Sequence, residues 1–146
     1  MSGEGYGMRD EEGWAEPPDG SFIGEPGIRS FEDLRVWQEG IGLCESVYSL
    51  TRSFPEDERF GLTSQLRRAA VSVPSNIAEG WGRGSRAEYA RFLKVARGSL
   101  YEVRTQLIVA ERVHLCPADT TAPVLRQADQ VRRMLHGLIR SLGSQG

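Results

Sequence analysis

Cysteine and histidine are scarce in this chain of 146 residues, which contains two of each. Cys44 and Cys116 stand far apart, so we predict no disulfide framework and assign each thiol the default role of a small buried hydrophobe. No H-x-x-x-H or C-x-x-C pattern occurs around these cysteines or around His114 and His136. The sequence therefore predicts neither a metal site nor a cofactor.

Long apolar runs are also absent. No stretch approaches the roughly 18 to 20 apolar residues that a membrane-spanning helix needs. The N-terminus lacks the basic and apolar blocks of a secretory signal peptide. Together with the isolated thiols, which are typical of a reducing compartment, these absences lead us to expect a cytoplasmic protein.

Two residue pairs deserve comparison with catalytic arrangements. Cys44 and His136 supply a nucleophile and a base, but a core thiol and an exposed imidazole are the simpler interpretation. Asn76 and Glu79 supply an amide and an acid, but near the end of a helix such side chains more often satisfy backbone groups. We therefore predict a protein that is not an enzyme and has no catalytic residues.

Charge is unevenly distributed along the chain. Residues 1–29 and residues 30–58 each carry seven acids against two arginines, a net charge of -5 for each segment. Residues 59–104 carry nine bases against three acids, a net charge of +6. This division favours either a head-to-tail interface between copies, which can close into a ring, or simple charge matching within one chain.

Residues 1–29 are rich in glycine, proline and acidic residues and show no helical or strand periodicity. Such a segment buries too little apolar surface to offset the entropy of ordering it. We predict a disordered acidic N-terminal tail, followed by one domain over residues 30–146. The tail is interpreted either as an electrostatic mask over the basic part of the chain or as an extension without a role.

The domain contains four segments with the apolar periodicity of helices. Helix 1 is predicted to begin at Ser30, where Asp33 completes a weak capping box, and to end before Pro55. Helix 2 extends from about Leu62 to about Glu79. No convincing strand is found.

Helix 3 has the clearest start, because Ser85 and Glu88 form an S-x-x-E capping box, and it ends near Leu115. Helix 4 is predicted to be capped by one of three residues: Asp119, Thr120 or Thr121. Four amphipathic helices joined by short turns predict an all-α, up-down-up-down antiparallel four-helix bundle.

Small residues mark expected helix contacts. Gly40 and Gly42 inside helix 1 are predicted to permit close approach of a neighbour. If helices 2 and 3 form a hairpin, facing residue numbers sum to about 165. That register places Gly98 and Ser99 opposite residues 66–69, and brings Glu102 within reach of Arg67 or Arg68.

One stretch of helix 2, Ser72 to Gly80, reads S-V-P-S-N-I-A-E-G. Pro74 removes a backbone donor and presses on the carbonyl of Ala70, so we predict a kink there at a local cost of about 3 kcal/mol. Ser72 and Asn76 can supply hydrogen bonds near the break. The glycines that follow end the helix and form the turn into helix 3.

Three strings carry a resemblance to a known family: F-E-D-L-R-V-W from Phe31, F-P-E-D-E-R-F-G-L-T-S-Q-L-R-R-A-A-V-S-V-P-S-N-I-A-E-G from Phe54, and A-R-G-S-L-Y-E from Ala96. They resemble the bacterial four helix bundle protein family, first noticed as reading frames in 23S ribosomal RNA intervening sequences. The resemblance covers about residues 30–142. A related protein is the accessory variability determinant of diversity-generating retroelements, a ring of five bundles that binds nucleic acid and a reverse transcriptase.

The resemblance implies a cytoplasmic homopentamer, RNA or DNA as a ligand and a reverse transcriptase as a protein partner. One position departs from the family pattern, since Arg104 stands where glutamate is common. The change adds positive charge to helix 3, which either sharpens anion binding or alters a subunit contact. The acidic tail is not part of the pattern.

The candidate binding site is the set of cations on and between helices 2 and 3: Arg67, Arg68, Arg83, Arg86, Arg91, Lys94, Arg97 and Arg104. Clustered cations bind phosphate backbones without reading sequence. The alternatives are a solvated face paired with local acids and a scaffold that docks a protein partner without touching nucleic acid. We assign a structural role to the remaining notable residues: Ser72, Pro74, Asn76, Glu79, Gly80, Gly98, Ser99 and Glu102.

Overall fold

A computed structural model describes residues 27–145, and the side chains of residues 27–143. Four α-helices make up most of it: α1 (Arg35–Thr51), α2 (Leu62–Trp81), α3 (Arg86–Arg112) and α4 (Ala118–Gln145). Short 3-10 helices at Phe31–Asp33 and Glu56–Glu58 precede α1 and α2, and this part of the chain contains no strand. The predicted tail lies outside the described residues, except for Gly27, Ile28 and Arg29.

The four helices pack as the apolar periodicity predicts. Each contacts its neighbours in sequence, and α1 also packs against α4, which closes the bundle. The connections are short, so successive helices run antiparallel and the predicted all-α four-helix bundle is confirmed. Its core is formed by large side chains that are almost fully buried: Leu43, Val47, Leu66, Val73, Ile77, Tyr89, Leu93, Leu100, Val103, Leu107, Val131 and Leu135.

The capping signals are only partly fulfilled. Ser30 and Asp33 form the predicted capping box, but it starts the first 3-10 helix, and α1 begins later, at Arg35. Ser85 caps α3 by accepting a bond from the Glu88 amide at 3.1 Å. The predicted cap of helix 4 is wrong, because α4 starts at Ala118 and the three candidates lie within its first turn.

The hairpin of α2 and α3 is tight at its turn. A Cβ placed on Gly80 would lie 2.7 Å from the Cβ of Phe92 and 3.2 Å from the backbone oxygen of Tyr89, so only glycine lets the two helices come this close. Further along the hairpin, the hydroxyls of Ser72 and Ser99 are hydrogen-bonded at 2.8 Å. Gly80, the last residue of the stretch from Ser72 to Gly80, therefore has a structural role: it lets α2 and α3 contact each other.

The Ser72–Ser99 pair corrects the predicted register. Facing residue numbers sum to about 171 rather than about 165, since 72 faces 99. Gly98 is exposed, and nothing lies within 4 Å of a Cβ placed on it, so the predicted close contact is made by buried Ser99 and not by Gly98. The contact of Gly80 with Phe92 at the turn fits the same register, and α2 continues to Trp81, two residues beyond its predicted end.

Gly40 packs against α2, but at a distance of ordinary van der Waals contact that a methyl group would also fit. A Cβ on this residue would lie 3.5 Å from Val73 Cγ1 and 3.6 Å from the ring of Pro74. Pro74 is buried against α1, and α2 continues past it without interruption. The bend at Pro74 stays a prediction, but the packing of its ring gives this proline a clear structural role.

The α3–α4 turn contains an unusual backbone conformation. His114 has a φ of 67°, in the left-handed region that favours glycine. The Leu115 amide donates to the Ala110 carbonyl at 2.8 Å, and the His114 amide donates to the Glu111 carbonyl at 3.1 Å. These two bonds form a Schellman motif that ends α3, with histidine in the place usually taken by glycine.

Candidate nucleic-acid interface

The eight predicted cations do not share one continuous neighbourhood. The structure divides them among the α2–α3 turn, the α3–α4 side of the bundle, the outer surface of α3 and the α1–α2 side of the bundle. Their proposed binding role stays a prediction, but their surroundings differ in charge and in exposure, and these differences show which of them are available to an anion.

The cations at the α2–α3 turn are largely neutralised. Arg91 donates two hydrogen bonds of 3.1 Å to the carboxylate of Glu88, and Arg83 contacts Glu79 at 3.3 Å and Glu88 at 3.5 Å. The hydrogen bonds from Arg91, assisted by the charge of Arg83, lower the pKa of Glu88. Both guanidinium groups also lie over the ring of Phe92, at 5.2 Å for Arg83 and 4.5 Å for Arg91.

Arg86 begins α3 at the same turn and is half-buried. Lys94 lies one turn after Arg91 and is exposed on the outer surface of α3. Among the described residues Lys94 has no carboxylate partner, so its charge is available to solvent or to a ligand.

Arg97 and Arg104 lie on the side of α3 that faces α4. An Nη1 atom of Arg97 is 3.3 Å from Nδ1 of His136. Arg104 lines a small cleft with Tyr101 and Asp129. Hydrogen bonds from Arg132 lower the pKa of Asp129, and the charges of Arg133 and Arg104 act in the same direction. Arg104, the departure from the family pattern, thus joins a charge network with α4.

Arg67 and Arg68 line a groove between α1 and α2, near the first turns of α2. Arg67 is held in place, because its Nε donates to Thr51 Oγ1 at 2.8 Å and its guanidinium lies 4.4 Å from the centre of the Tyr48 ring. Arg68 is exposed and has no carboxylate partner among the described residues. The α1–α2 groove is lined by Tyr48, Arg59, Phe60, Thr63, Ser64, Arg67, Arg68, Val71 and Ser72.

The groove contains residues that the sequence analysis missed. Phe60 is 85% exposed, and the guanidinium of Arg59 lies 4.8 Å from the centre of its ring. Arg59 also pairs with Glu56 at 2.8 Å, with both side chains exposed to solvent. The available signal was an aromatic residue between an arginine and a glycine, in a connection that belongs to no apolar stripe.

Thr63 gives the groove an unsatisfied polar group. Its side chain is only 8% exposed, and its hydroxyl has no hydrogen-bond partner among the described residues. A buried hydroxyl without a partner costs about 1–3 kcal/mol, but this oxygen is covered by its surroundings and does not face an occupant of the groove. The groove therefore presents aromatic rings and cations at its surface, and the Thr63 hydroxyl lies beneath them.

Most of the residues that were predicted to have a structural role form hydrogen bonds, ion pairs or packing contacts within the bundle. The Asn76 amide donates to the Ser72 carbonyl at 2.8 Å and to the Ser72 hydroxyl at 2.9 Å, as expected beside a proline. Glu79 pairs with Arg83. Glu102 is exposed and forms no ion pair among the residues described, so its expected pairing with Arg67 or Arg68 is not made.

Cys44 and His136, which were considered as a nucleophile and a base, contact different helices. The Cys44 thiol donates to the Ala70 carbonyl at 3.2 Å, and its burial, with a smaller contribution from Glu45, raises its pKa to about 11. His136 is exposed on α4 and contacts Arg97. A protonated thiol bonded to a helix carbonyl is a poor nucleophile.

Within the described residues, no group of three or more histidine, cysteine or acidic side chains is placed to hold a metal ion. Glu111 and His114 are three residues apart, but His114 lies beyond the end of α3, and the Glu111 carboxylate accepts a bond from Thr121 at 2.9 Å. Over the same part of the chain, no helix is both long and apolar enough to cross a membrane.

Residues 32–137 match the family described as 23S rRNA-intervening sequence protein. Among solved structures, the chain is similar to a protein of unknown function from the S23 ribosomal protein family of Bacteroides thetaiotaomicron, with a TM-score of 0.65 and 19% sequence identity. The alignment covers 71% of this chain and 97% of that one. At this identity the likeness shows the fold alone. No curated protein matches the chain.

Proposed function

The chain belongs to the 23S rRNA-intervening sequence protein family, and we propose that it is a non-enzymatic, oligomeric bundle that binds single-stranded nucleic acid. The observation that carries this proposal is the pairing of arginines with exposed aromatic rings in the α1–α2 groove. There Arg67 lies over Tyr48, and Arg59 lies over Phe60.

This pairing suits the two parts of a nucleotide. Guanidinium groups neutralise phosphates and release counterions, whereas an exposed ring stacks on a base, a contact worth about 1–3 kcal/mol. Phe60 is 85% exposed, and Arg59 lies over one face of its ring, which leaves the other face for such stacking. Because Arg67 is fixed by Thr51 and Tyr48, it loses little conformational entropy when it binds.

The cations of α2 and α3 contribute unequally. Arg68 and Lys94 have no carboxylate partner among the described residues, so their charges are directed at solvent. Arg83 and Arg91 share the carboxylate of Glu88, which reduces their attraction for a phosphate. We therefore assign the main contact to the groove and a supporting role to the cations of α3.

Oligomerisation would multiply a weak contact of this kind. Residues 30–58 carry a net charge of -5 and residues 59–104 a net charge of +6, which suits a head-to-tail contact between copies. We propose a ring, with five copies as the resemblance implies. Several grooves on one ring bind a single strand with avidity, without any new contact.

The test is the fluorescence anisotropy of a labelled oligothymidylate titrated with the full chain at low salt. The double variant Arg59→Gln with Arg68→Gln should weaken binding at least about tenfold, since two phosphate contacts are lost. The matched control is Arg126→Gln with Arg140→Gln, which makes the same change in net charge on exposed positions of α4. Equal losses in the two double variants, or no binding by the unaltered chain, would refute the groove as the interface.

A second candidate function is a scaffold that docks a protein partner such as a reverse transcriptase. The observation that favours it is a set of exposed apolar side chains on and just after α3: Val95, Tyr101, Val109 and Val113. Charge reversal at Arg91, Lys94 and Arg97 separates the two functions. It should weaken oligonucleotide binding, whereas an apolar partner contact should survive it.

A further inference from the structure

The α1–α2 groove combines two features that call for an occupant. It exposes the rings of Tyr48 and Phe60, and it carries the cations of Arg67 and Arg68. A suitable occupant offers an aromatic side chain and carboxylates. That is the chemistry of an acidic peptide that contains an aromatic residue.

The chain itself contains such a peptide. Residues 1–26 carry seven acids against the single base Arg9, and residues 10–16 read D-E-E-G-W-A-E. Trp14 is thus flanked by four carboxylates, those of Asp10, Glu11, Glu12 and Glu16. We propose that this segment, residues 10–16, docks in the α1–α2 groove of its own chain, with Trp14 against the exposed rings and the carboxylates beside the arginines.

The tether is long enough for this contact. The described chain starts at Gly27, two residues before Arg29, whose amide donates to Asp33 just ahead of α1 at 2.9 Å. Trp14 precedes Gly27 by 13 residue steps. An extended chain of that length spans about 43 Å, at about 3.3 Å per residue. Tyr48 lies 13 residues along α1 from Arg35, a rise of about 20 Å at 1.5 Å per residue. The segment therefore reaches the groove with length to spare.

Other basic parts of the molecule are less suited to the segment. At the α2–α3 turn Arg83 and Arg91 already share Glu88, so new carboxylates would have to displace an existing pair. Arg68 in the groove faces no such competitor among the described residues. Because docking is intramolecular, even a weak contact is favoured by a high effective concentration.

Docking has a consequence for nucleic-acid binding, and this consequence rests on the proposed function. The docked segment would cover the surface that binds nucleic acid. The N-terminal segment would then act as a built-in competitor. Nucleic acid would have to displace it before its bases reached Phe60, and loss of Trp14 would raise the affinity of the chain for nucleic acid.

Docking is tested directly by fluorine NMR of the full chain labelled with 5-fluorotryptophan. The protein contains three tryptophans, so the Trp14 resonance is assigned by its loss in Trp14→Phe. We expect this resonance to differ from that of a free peptide of residues 1–26. It should move to the position of the free peptide in Arg59→Gln with Arg68→Gln, and stay unchanged in Arg126→Gln with Arg140→Gln.

A dilution series sharpens the test. Dilution should leave the resonance unchanged, since docking within one chain does not depend on concentration. A Trp14 resonance identical to that of the free peptide would overturn the proposal, and a resonance that changes on dilution would overturn docking within the same chain.

The oligonucleotide measurement separates this proposal from the proposed function. Trp14→Ala leaves the charge of the chain unaltered and should raise its affinity for oligothymidylate severalfold by freeing the groove. If the Trp14 resonance shows docking but no variant binds the oligonucleotide, docking stands and the proposed function fails. If the chain binds the oligonucleotide but Trp14→Ala has no effect on affinity, the competition between segment and nucleic acid is refuted.

Discussion

The two ends of the α2–α3 hairpin contain the same kinds of residue in opposite roles. At the α2–α3 turn, Arg83 and Arg91 lie over Phe92 and share Glu88, while Gly80 lets the helices touch. At the other end, in the α1–α2 groove, arginines lie over Tyr48 and Phe60, and the rings remain exposed. At the α2–α3 turn a shared carboxylate and a close helix hold the arginines in packing contacts. In the groove Arg59 pairs only with the highly exposed Glu56, Arg67 and Arg68 have no carboxylate partner among the described residues, and the rings stay available for binding.

Among the variants considered, Gly80→Ala should have the largest effect, and it tests the helix packing at the α2–α3 turn. The new methyl group would lie 2.7 Å from the Phe92 Cβ, which has little freedom to move, so the helices must separate. We expect a loss of about 1–3 kcal/mol in the free energy of unfolding, measured by urea denaturation. Gly98→Ala is the matched control, since its methyl group meets nothing within 4 Å, and it should stabilise the protein by up to about 1 kcal/mol. Equal effects at the two glycines would contradict the tight turn.

His114→Gly probes strain at the opposite end of α3. Glycine adopts the φ of 67° without the clash that a Cβ causes, although it also adds entropy to the unfolded chain. We expect a net gain of up to about 1 kcal/mol in the free energy of unfolding. His114→Ala keeps the Cβ and should give no such gain. If alanine stabilises the protein as much as glycine does, the backbone conformation is not the source of the effect.

Arg68→Gln and Arg91→Gln compare one cation from each end. The dependence of oligothymidylate affinity on salt should fall by about one phosphate contact for Arg68→Gln, because its guanidinium has no carboxylate partner among the described residues. Arg91→Gln should change the salt dependence much less, since Glu88 already neutralises this cation. Titrations at several salt concentrations measure both slopes, and identical slopes for the two variants would erase the distinction between the ends.

Glu88→Gln should have the smallest effect, and its sign depends on pH. Arg91 lowers the pKa of Glu88 in the folded state, so the ionised carboxylate stabilises the fold above its ordinary pKa of about 4.3. This stabilisation is lost as the pH falls through the lowered value. Melting temperatures of the variant and the unaltered chain should therefore differ at neutral pH and converge in acid. A constant difference across the pH range would argue against the ion pair.

The four-helix fold could be predicted from the apolar spacing along the sequence, because the packed helices bury the side chains that this spacing indicated. Apolar spacing located the four helices because each one buries a single stripe, as Leu66, Val73 and Ile77 do on α2. The exact register of the hairpin was not predictable, since it depends on how far α2 extends and on the Gly80 contact with Phe92. Both are properties of the assembled pair of helices.

The candidate site was harder to predict, because charge alone does not show which cations have partners. The sequence identified Arg67 and Arg68, but it grouped them with Arg97, which faces α4. It missed Phe60, since an exposed aromatic residue in a connection leaves no periodic signal. The partners that distinguish the two ends are set by packing between helices.

The most direct test of binding in the α1–α2 groove is Phe60→Ala in the full chain, measured by the anisotropy of labelled oligothymidylate at low salt. Phe60 is 85% exposed, so the free energy of unfolding should stay the same. Removing the ring should weaken binding at least about fivefold, as expected for loss of one stacked base worth about 1–3 kcal/mol. An affinity equal to that of the unaltered chain would contradict the assignment of the α1–α2 groove to nucleic-acid binding.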